Sequence, residues 1–263
     1  MFAEYEQPLS GRIVFDSHAH YDDQAFDPDR EALLGALPAR GICGVINCGS
    51  DLASSEVSLR LAEKYDYIYA AVGIHPHEAA DVPADFVPRL RELAAHPKAV
   101  AIGEIGLDYH YDFSPREAQI SLLEAQLQLA AELTLPVVIH DREAHGDMIS
   151  LLEKYRPRGV VHCFSGSVEL AERTLRIGMY IGLGGAVTFK NARKPVEVAR
   201  MVPSDRLLLE TDAPYMTPVP YRGKRCDSTH IPVTAETIAE MRGVSRDELI
   251  FQCGENTRLL FGI

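Results

Sequence analysis

The sequence predicts an α/β fold in which eight parallel strands close into a (β/α)₈ TIM barrel, with the active site at the C-terminal ends of the strands. Short apolar runs rich in β-branched residues alternate with longer helical stretches along the whole chain. Such runs are typical of parallel strands covered on both faces. The length of 263 residues is close to the ~250 of one barrel. An open, doubly wound sheet stays an alternative, because periodicity does not show closure.

The predicted strands are taken in chain order from the apolar runs at residues 12–16, 44–48, 67–73, 99–104, 135–140, 159–163, 179–184 and 206–210. The clearest helix between them runs from Ser114 to Leu133 and opens with Ser-Pro, where a proline is tolerated. Its buried stripe is expected at helical spacing, on Ile120, Leu123, Leu127 and Ala130. No linker or low-complexity tract divides the chain, so we expect residues 1–263 to form a single barrel domain.

Composition excludes several classes of protein. The cysteines are odd in number and scattered, without a Cys-x-x-Cys pair, which argues against a disulfide framework or a zinc knuckle. No run of ~18 apolar residues indicates a membrane span. Residues 1–12 lack the basic start and apolar core of a signal peptide, so we expect a cytoplasmic protein with no membrane partner.

The net charge bears on the substrate. A formal charge of −12 argues against a protein that coats nucleic acid by charge alone, because such binding depends on Lys and Arg neutralising phosphates. It does not exclude an enzyme with a small local phosphate site, where bound metal ions reverse the sign of the field.

Polar residues of metal-ligand type follow the predicted strands. His18 and His20 leave the first strand in DSHAH. Alternate positions on a strand share a face, so both imidazoles point toward the barrel mouth and can hold one metal ion. The pattern recurs at later strand ends, which converge on the same mouth, in Glu104, His140, His162 and Asp212. This number of ligands predicts two metal ions rather than one, with Glu104 as the bridge because a carboxylate has two oxygens.

Several further residues are predicted at the same mouth. His75, in the loop after the third strand, is expected to contact substrate, whereas His77 could equally brace that loop. Arg142 and Arg225 are expected to contact phosphate, with solvated surface as the alternative. Three aromatic residues could either stack on an unpaired base or simply pack within their loops, namely Tyr109, Phe113 and Phe164.

Taken together, these motifs resemble a known family. DSHAH, GIHPH, GEIGLDY, LPVVIHDREA, HCFSG, TDAPYMTP, RGKR and ENTRLLFG occur in this order across nearly the whole chain. The ordered set resembles the TatD family of metal-dependent deoxyribonucleases, within the amidohydrolase-like superfamily. The resemblance implies two Mg²⁺ or Mn²⁺ ions and a DNase, expected to be a 3′→5′ exonuclease on single-stranded or frayed ends. Zn²⁺ stays possible, because imidazole-rich sites disfavour Mg²⁺.

The resemblance also implies roles for single residues. His18, His20, Glu104 and Asp212 resemble the ligands of one metal ion, and Glu104, His140 and His162 those of the other. His75 matches a residue near the scissile phosphate. We expect Asp212 to serve also as the proton acceptor for the attacking water, so that the predicted catalytic residues are Glu104, Asp212 and His75.

Three positions depart from the family pattern. Ala19 stands where many members have a cysteine, and by strand parity it faces away from the ligands. His110 follows Tyr109 where many members have an aromatic residue, which could alter substrate contacts. After RGKR, the stretch Cys226–His230 replaces a more common sequence and leaves the loop's part in substrate choice open.

Two other functions are compatible with the sequence. The same metal site could hydrolyse a different ester, such as a D-aminoacyl-tRNA or a small phosphoester, because the barrel fold hosts many chemistries. A metal-binding module without turnover is the alternative of another class, and the intact ligand set argues against it. We expect DNA as the substrate, no obligatory protein partner, and a monomer.

Overall fold

The computed structural model describes residue 11 and residues 13–263. Residues 1–10 and Arg12 lie outside this range. Two predictions fall on these residues and therefore lie outside the described part of the chain: the absence of a signal peptide and the start of the first strand at residue 12. The described strands form one parallel sheet in chain order. Their bounds are β1 Val14–Ala19, β2 Ile42–Cys48, β3 Ile68–Val72, β4 Ala99–Asp108, β5 Val137–Arg142, β6 Gly159–Val161, β7 Tyr180–Leu183 and β8 Leu207–Leu209.

The sheet closes on itself. Each strand pairs with the next in parallel, and a parallel bridge joins Ala19 at the end of β1 to Ala213 after β8. The backbone N–H of His20 donates to the Ala213 carbonyl over 2.7 Å. The predicted (β/α)₈ barrel is therefore confirmed, and the open sheet is excluded.

Helices cover the outside of the barrel. Their bounds are α1 Arg30–Ala36, α2 Leu52–Lys64, α3 Phe86–Ala94, α4 Arg116–Leu133, α5 His145–Tyr155, α6 Val168–Arg176, α7 Arg193–Met201, α8 Ile231–Arg242 and α9 Arg246–Phe261. Local chemistry fixes their ends: Asp51 and Ser54 form a reciprocal capping box at the start of α2, and Gly243 ends α8 in the left-handed conformation. Across the described residues, no helix has both the length and the hydropathy that a bilayer crossing demands.

The apolar core has two layers because strand residues alternate between faces. The outward layer packs against the helices and includes Val137 and Ile139 of β5. The inward layer takes alternate residues from every strand and is joined by two side chains from the end of α9; it comprises Phe15, Ile46, Cys48, Ala71, Val100, Ala101, Val138, Val160, Tyr180, Leu208, Leu260 and Phe261. His140 and His162, each two positions after one of these residues (Val138 and Val160), continue the inward face at the mouth of the barrel.

One predicted boundary differs in a way that matters for the site. The fourth strand was expected to end at Glu104, but β4 continues to Asp108. The reason is that Ile105 and Leu107 are buried and the backbone goes on pairing with β5 as far as Arg142. The end of β4 therefore places Asp108 at the mouth, four residues after Glu104.

The other predictions about local structure need only small changes. Helix α4 begins at Arg116, two residues later than expected, with Pro115 at its N-cap. Three residues of its predicted stripe are buried, and Ile120 is partly buried against the same core. All five cysteines are free thiols, as the sequence predicts: Cys43, Cys48, Cys163, Cys226 and Cys253.

Candidate metal centre

The polar side chains at the strand ends converge in one cluster at the barrel mouth. In three overlapping groups, the possible ligand atoms lie within 4.8 Å of one another. The rings of His18 and His162, from opposite parts of the chain, stack with centroids 3.8 Å apart. The groups contain all six residues expected to be ligands together with His75, namely His18, His20, His75, Glu104, His140, His162 and Asp212.

Glu104 lies between two sets of imidazoles. Its Oε2 is 3.4 Å from His18 Nε2 and 3.3 Å from His20 Nε2. Its Oε1 is 3.0 Å from His140 Nδ1 and 2.7 Å from His162 Nε2. The two oxygens of one buried carboxylate thus face different pairs of ring nitrogens, which is the arrangement that a bridging ligand requires.

Asp212 joins the Oε2 side of Glu104. Its Oδ1 lies 3.7 Å from His18 Nε2 and 3.6 Å from His20 Nε2. The backbone N–H of Asp212 donates to the carbonyl of His18, so β1 and the segment after β8 hold the two side chains together. The Asp212 side chain is 18% exposed, against 4% for Glu104, so a solvent molecule can reach it from the mouth.

Hydrogen bonds behind the imidazoles set which nitrogen faces the cluster. His20 Nδ1 donates to the Cys48 carbonyl over 2.8 Å, and His140 Nε2 donates to Asp108 Oδ2 over 3.1 Å, so His20 Nε2 and His140 Nδ1 face Glu104. Burial opposes protonation of both rings, but the neighbouring carboxylates outweigh it: they hold the pKa of His20 well above its usual range and raise the pKa of His140 to about 9. A metal ion that binds these two nitrogens would therefore displace a proton from each ring. Such outer partners orient histidines for metal binding, so the donor set fits divalent ions.

Burial and neighbouring charges shift the pKa values of His18 and Glu104. Burial and the neighbouring His162 lower the pKa of His18 to about 4. Burial opposes ionisation of Glu104, but His162 and His18 outweigh it and hold the pKa of this carboxyl well below its usual range. His18 is therefore neutral and Glu104 ionised near pH 7, which are the forms that bind a metal ion.

Asp108 is a functional candidate that sequence reasoning missed. It is fully buried, and its Oδ2 accepts from His77 Nε2 over 2.9 Å as well as from His140. It was passed over because the strand was expected to end four residues earlier. The signal was present in GEIGLDY, where Glu104 and Asp108 share strand parity.

Two more buried carboxyls stand behind the cluster. Asp16 accepts from the hydroxyls of Thr211 and Ser228, and burial raises its pKa to about 6. Glu210 accepts from the backbone N–H of Cys163, and burial raises its pKa to about 8. Among the described residues, no hydrogen bond satisfies the other oxygen of Glu210.

The predicted substrate residues have different surroundings. His75 is buried, with Nε2 3.8 Å from Glu104 Oε1. Arg142 lies at the end of β5, with its guanidinium 4.6 Å from the centre of the Tyr111 ring. Arg225, in contrast, makes a bidentate pair with Asp29 at 2.7 Å for each bond.

The aromatic candidates also differ from one another. Tyr109 is half-buried, donates its hydroxyl to Asp147 and is covered by Arg116 at 4.2 Å. Phe164 is only 4% exposed, which leaves little of its ring for a base. His110, one of the departures from the family pattern, pairs with exposed Glu143 at 2.9 Å rather than with the cluster.

A carboxylate shared between histidine groups, at the C-terminal mouth of a (β/α)₈ barrel, is typical of a metal-dependent hydrolase. Comparisons with known proteins specify the family. The model of the family described as TatD related DNase matches residues 15–262. The chain belongs to this family of metal-dependent hydrolases, as its motifs predict.

Individual relatives are similar to this chain over nearly the whole length of both proteins. The metal-dependent hydrolase YabD of Bacillus subtilis (strain 168) is 40% identical over 254 residues, covering 95% of this chain and 100% of the relative. The 3′-5′ ssDNA/RNA exonuclease TatD of Erwinia amylovora is 37% identical, with coverage of 95% and 100%. The crystal structure of YjjV, a TatD homologue from Escherichia coli K12, is 34% identical with a TM-score of 0.90, covering 96% of this chain and 99% of that one.

Proposed function

We propose that this protein is a single-domain deoxyribonuclease that removes nucleotides from the 3′ end of single-stranded or frayed DNA with two divalent ions. The relatives named 3′-5′ ssDNA/RNA exonuclease support the substrate class and polarity. Mg²⁺ or Mn²⁺ is the proposed pair, with Zn²⁺ as a competitor, because imidazole nitrogens dominate the donor set. The proposed protein is a monomer without an obligatory protein partner, because the described residues of one chain supply all the proposed ligands.

The observation that carries the proposal is the division of Glu104 between two sets of imidazoles. Its Oε2 faces His18 and His20, and its Oε1 faces His140 and His162. One metal ion would need only one of these sets. A shared carboxylate with nitrogens on both sides supports a pair of ions, each held by its own side and by Glu104.

The proposed ligands divide accordingly. His18, His20, Glu104 and Asp212 would hold one ion, whereas Glu104, His140 and His162 would hold the other. Bound divalent ions would supply Lewis-acid polarisation of the phosphodiester and activation of water. The hydrogen bonds to the Cys48 carbonyl and to Asp108 orient the facing nitrogens of His20 and His140 for this binding.

The protein's own groups then position the substrate and move one proton. We assign to the Asp212 carboxylate the acceptance of the proton from the attacking water, because its side chain is more exposed than that of Glu104. We assign to His75, whose ring centre lies 4.5 Å from that of His140, the contact to a non-bridging phosphate oxygen. We assign to Arg142, at the rim, the neutralisation of a phosphate on the strand.

The test uses metal-stripped protein and end-labelled substrates. Single-stranded DNA, duplex DNA, single-stranded RNA and a D-aminoacyl-tRNA are incubated with Mg²⁺, Mn²⁺ or Zn²⁺ restored in turn, with Glu104→Ala as the background control. We expect 5′-labelled single-stranded DNA to shorten progressively from its 3′ end, faster than duplex DNA. Absence of DNA cleavage with every metal contradicts the proposal, and cleavage of only the aminoacyl ester assigns the site to that reaction.

A further inference from the structure

Two aromatic rings lie exposed at the rim of the barrel mouth. Tyr111 and Phe113, in the loop between β4 and α4, are 48% and 67% exposed. Their rings stack, with centroids 5.2 Å apart and planes inclined by 23°. Exposing two adjacent aromatic rings to water is unfavourable, and such surfaces mark places where a ligand binds. We refer to Tyr111 and Phe113 together as the aromatic platform.

The aromatic platform is joined to the metal centre by direct contacts. The His77 ring meets Tyr111 at 5.5 Å and Phe113 at 4.8 Å between centroids. On its other side, His77 contacts His75 at 4.2 Å. One imidazole therefore separates the platform from His75 of the cluster.

The loop that carries the platform is held in place. Asp108 Oδ1 accepts from the backbone N–H of Tyr111 at 2.9 Å and from that of His110 at 3.0 Å. Gln119, from α4, accepts from the Asp108 backbone N–H. The same Asp108 side chain hydrogen-bonds His140. The platform thus has a fixed position relative to the metal centre rather than that of a free loop.

A positive charge lies beside the rings. The guanidinium of Arg142 stacks over Tyr111 at 4.6 Å from the ring centre. Within residues 13–263 no carboxylate forms an ion pair with it, whereas Arg225 is neutralised by Asp29. A ligand with a planar group beside an anion could stack on the exposed rings and pair with the Arg142 guanidinium. In a chain with a formal charge of −12, this combination favours a nucleotide over an apolar or cationic partner.

We propose that the aromatic platform binds an unpaired nucleobase by stacking, while Arg142 holds the phosphate attached to that nucleotide. This inference rests on the proposed function and adds the feature that selects single strands. A base in a duplex is stacked and paired on both sides, so only an unpaired base can lie on the platform. The stacking is tolerant of sequence, because every base offers a flat face.

The first experiment measures binding without catalysis. A single-stranded oligonucleotide with 2-aminopurine near its 3′ end is titrated with metal-stripped protein in chelator, and stacking is read as quenching of the base fluorescence. The variants are Tyr111→Ala, Phe113→Ala and the double change, with Phe251→Ala, a 56% exposed aromatic on α9, as the matched control. We expect roughly 10-fold weaker binding and lost quenching for the double variant, and no change for the control.

The second experiment separates the platform from the metal centre. Hydrolysis of bis(p-nitrophenyl) phosphate, which has no base, is compared with cleavage of oligonucleotides that carry a base or an abasic site near the 3′ end. We expect the double variant to keep wild-type hydrolysis of the small diester and to raise KM for the base-bearing strand about 10-fold with a smaller change in kcat. Tyr111→Phe should retain wild-type behaviour.

The outcomes keep the two proposals distinguishable. Quenched, platform-dependent binding in a protein that cleaves no DNA rejects the exonuclease and retains the platform. Equal affinity and equal quenching for the wild type and the double variant overturn the platform, whatever the nuclease activity. An abasic strand that the wild type binds as tightly as the base-bearing strand overturns it as well.

Discussion

The two sides of Glu104 differ in the atoms they offer a metal ion. The Oε2 side combines His18 and His20 with a second carboxylate, Asp212. The Oε1 side has His140 and His162, with His75 nearby. Among the described residues, Glu104 is the one carboxylate within 4 Å of the two ring nitrogens that face Oε1, although Asp212 comes within 4.8 Å of His162. Oxygen-rich sites suit Mg²⁺ and Mn²⁺, whereas imidazole suits Zn²⁺ and its neighbours. If both sides bind a metal ion, as proposed, we expect the two positions to be unequal, with the Oε1 side more readily taken by Zn²⁺.

The two sides also differ in how their histidines are held. Behind His20 is an uncharged backbone carbonyl, that of Cys48. Behind His140 is the buried carboxylate of Asp108, which is shared with His77. A carboxylate makes the imidazole more basic and a stronger ligand. The Oε1 side therefore has a carboxylate behind the ring of a proposed ligand, where the Oε2 side has a backbone carbonyl.

The largest effect is expected from Glu104→Ala, which removes the bridge from both sides together. We expect kcat/KM on single-stranded DNA to fall on the order of 10³-fold or more, because neither metal position stays complete. Glu132→Ala, an exposed carboxylate on α4, is the control and should keep wild-type activity. If Glu104→Ala kept more than a tenth of wild-type activity, the proposal that Glu104 bridges two metal ions would be wrong.

The next largest effect is expected from Asp212→Asn, which changes the Oε2 side alone. The amide keeps the shape but neither the charge nor the ability to take a proton, so kcat should fall about 10²-fold or more with a smaller change in KM. Steady-state kinetics at saturating Mn²⁺ measure the two constants separately. A loss confined to KM would show that Asp212 binds substrate rather than accepting the proton.

A smaller effect is expected from Asp108→Asn, which acts on the Oε1 side through His140. Loss of the outer carboxylate should weaken metal binding about 10- to 100-fold, read as the Mn²⁺ concentration that gives half-maximal activity. Asp81→Asn, an exposed acid in the loop before α3, serves as control. A change below about 3-fold would mean that His140 is oriented without its carboxylate partner.

The smallest effect is expected from Glu210→Gln, the other carboxyl behind the Oε1 side. Its Oε1 is 3.8 Å from His162 Nδ1, too far for a hydrogen bond. The amide oxygen of glutamine can still accept from the Cys163 N–H. We therefore expect the metal requirement to stay within about 3-fold of the wild type. A 10-fold or larger change would place Glu210 beside Asp108 as a partner that orients a ligand.

Strand parity and strand order explain how much of the site was predictable. His18 and His20 share a face because they are two residues apart, and their ring nitrogens lie 3.0 Å apart. Parallel strands of a barrel all end at one mouth, so the later ligand candidates were expected to meet them. Which of these side chains bind metal stays a prediction that the geometry supports.

Long-range contacts and strand ends explain what was missed. The role of Asp108 depends on β4 continuing past Glu104, and an apolar run does not reveal where a buried strand stops. The pair between Arg225 and Asp29 joins residues 196 apart in the chain, so it cannot be read from local sequence. The exposure of Phe113 likewise depends on how its loop packs.

The central claim is that Glu104 joins two unequal metal positions, and calorimetric titration of metal-stripped protein with Mn²⁺ tests it most directly. We expect two binding events for the wild type, and one for each of the single-side variants Asp212→Ala and His140→Ala. For Glu104→Ala we expect both events to be strongly weakened. A single event in the wild type, or two unaltered events in Glu104→Ala, would contradict it.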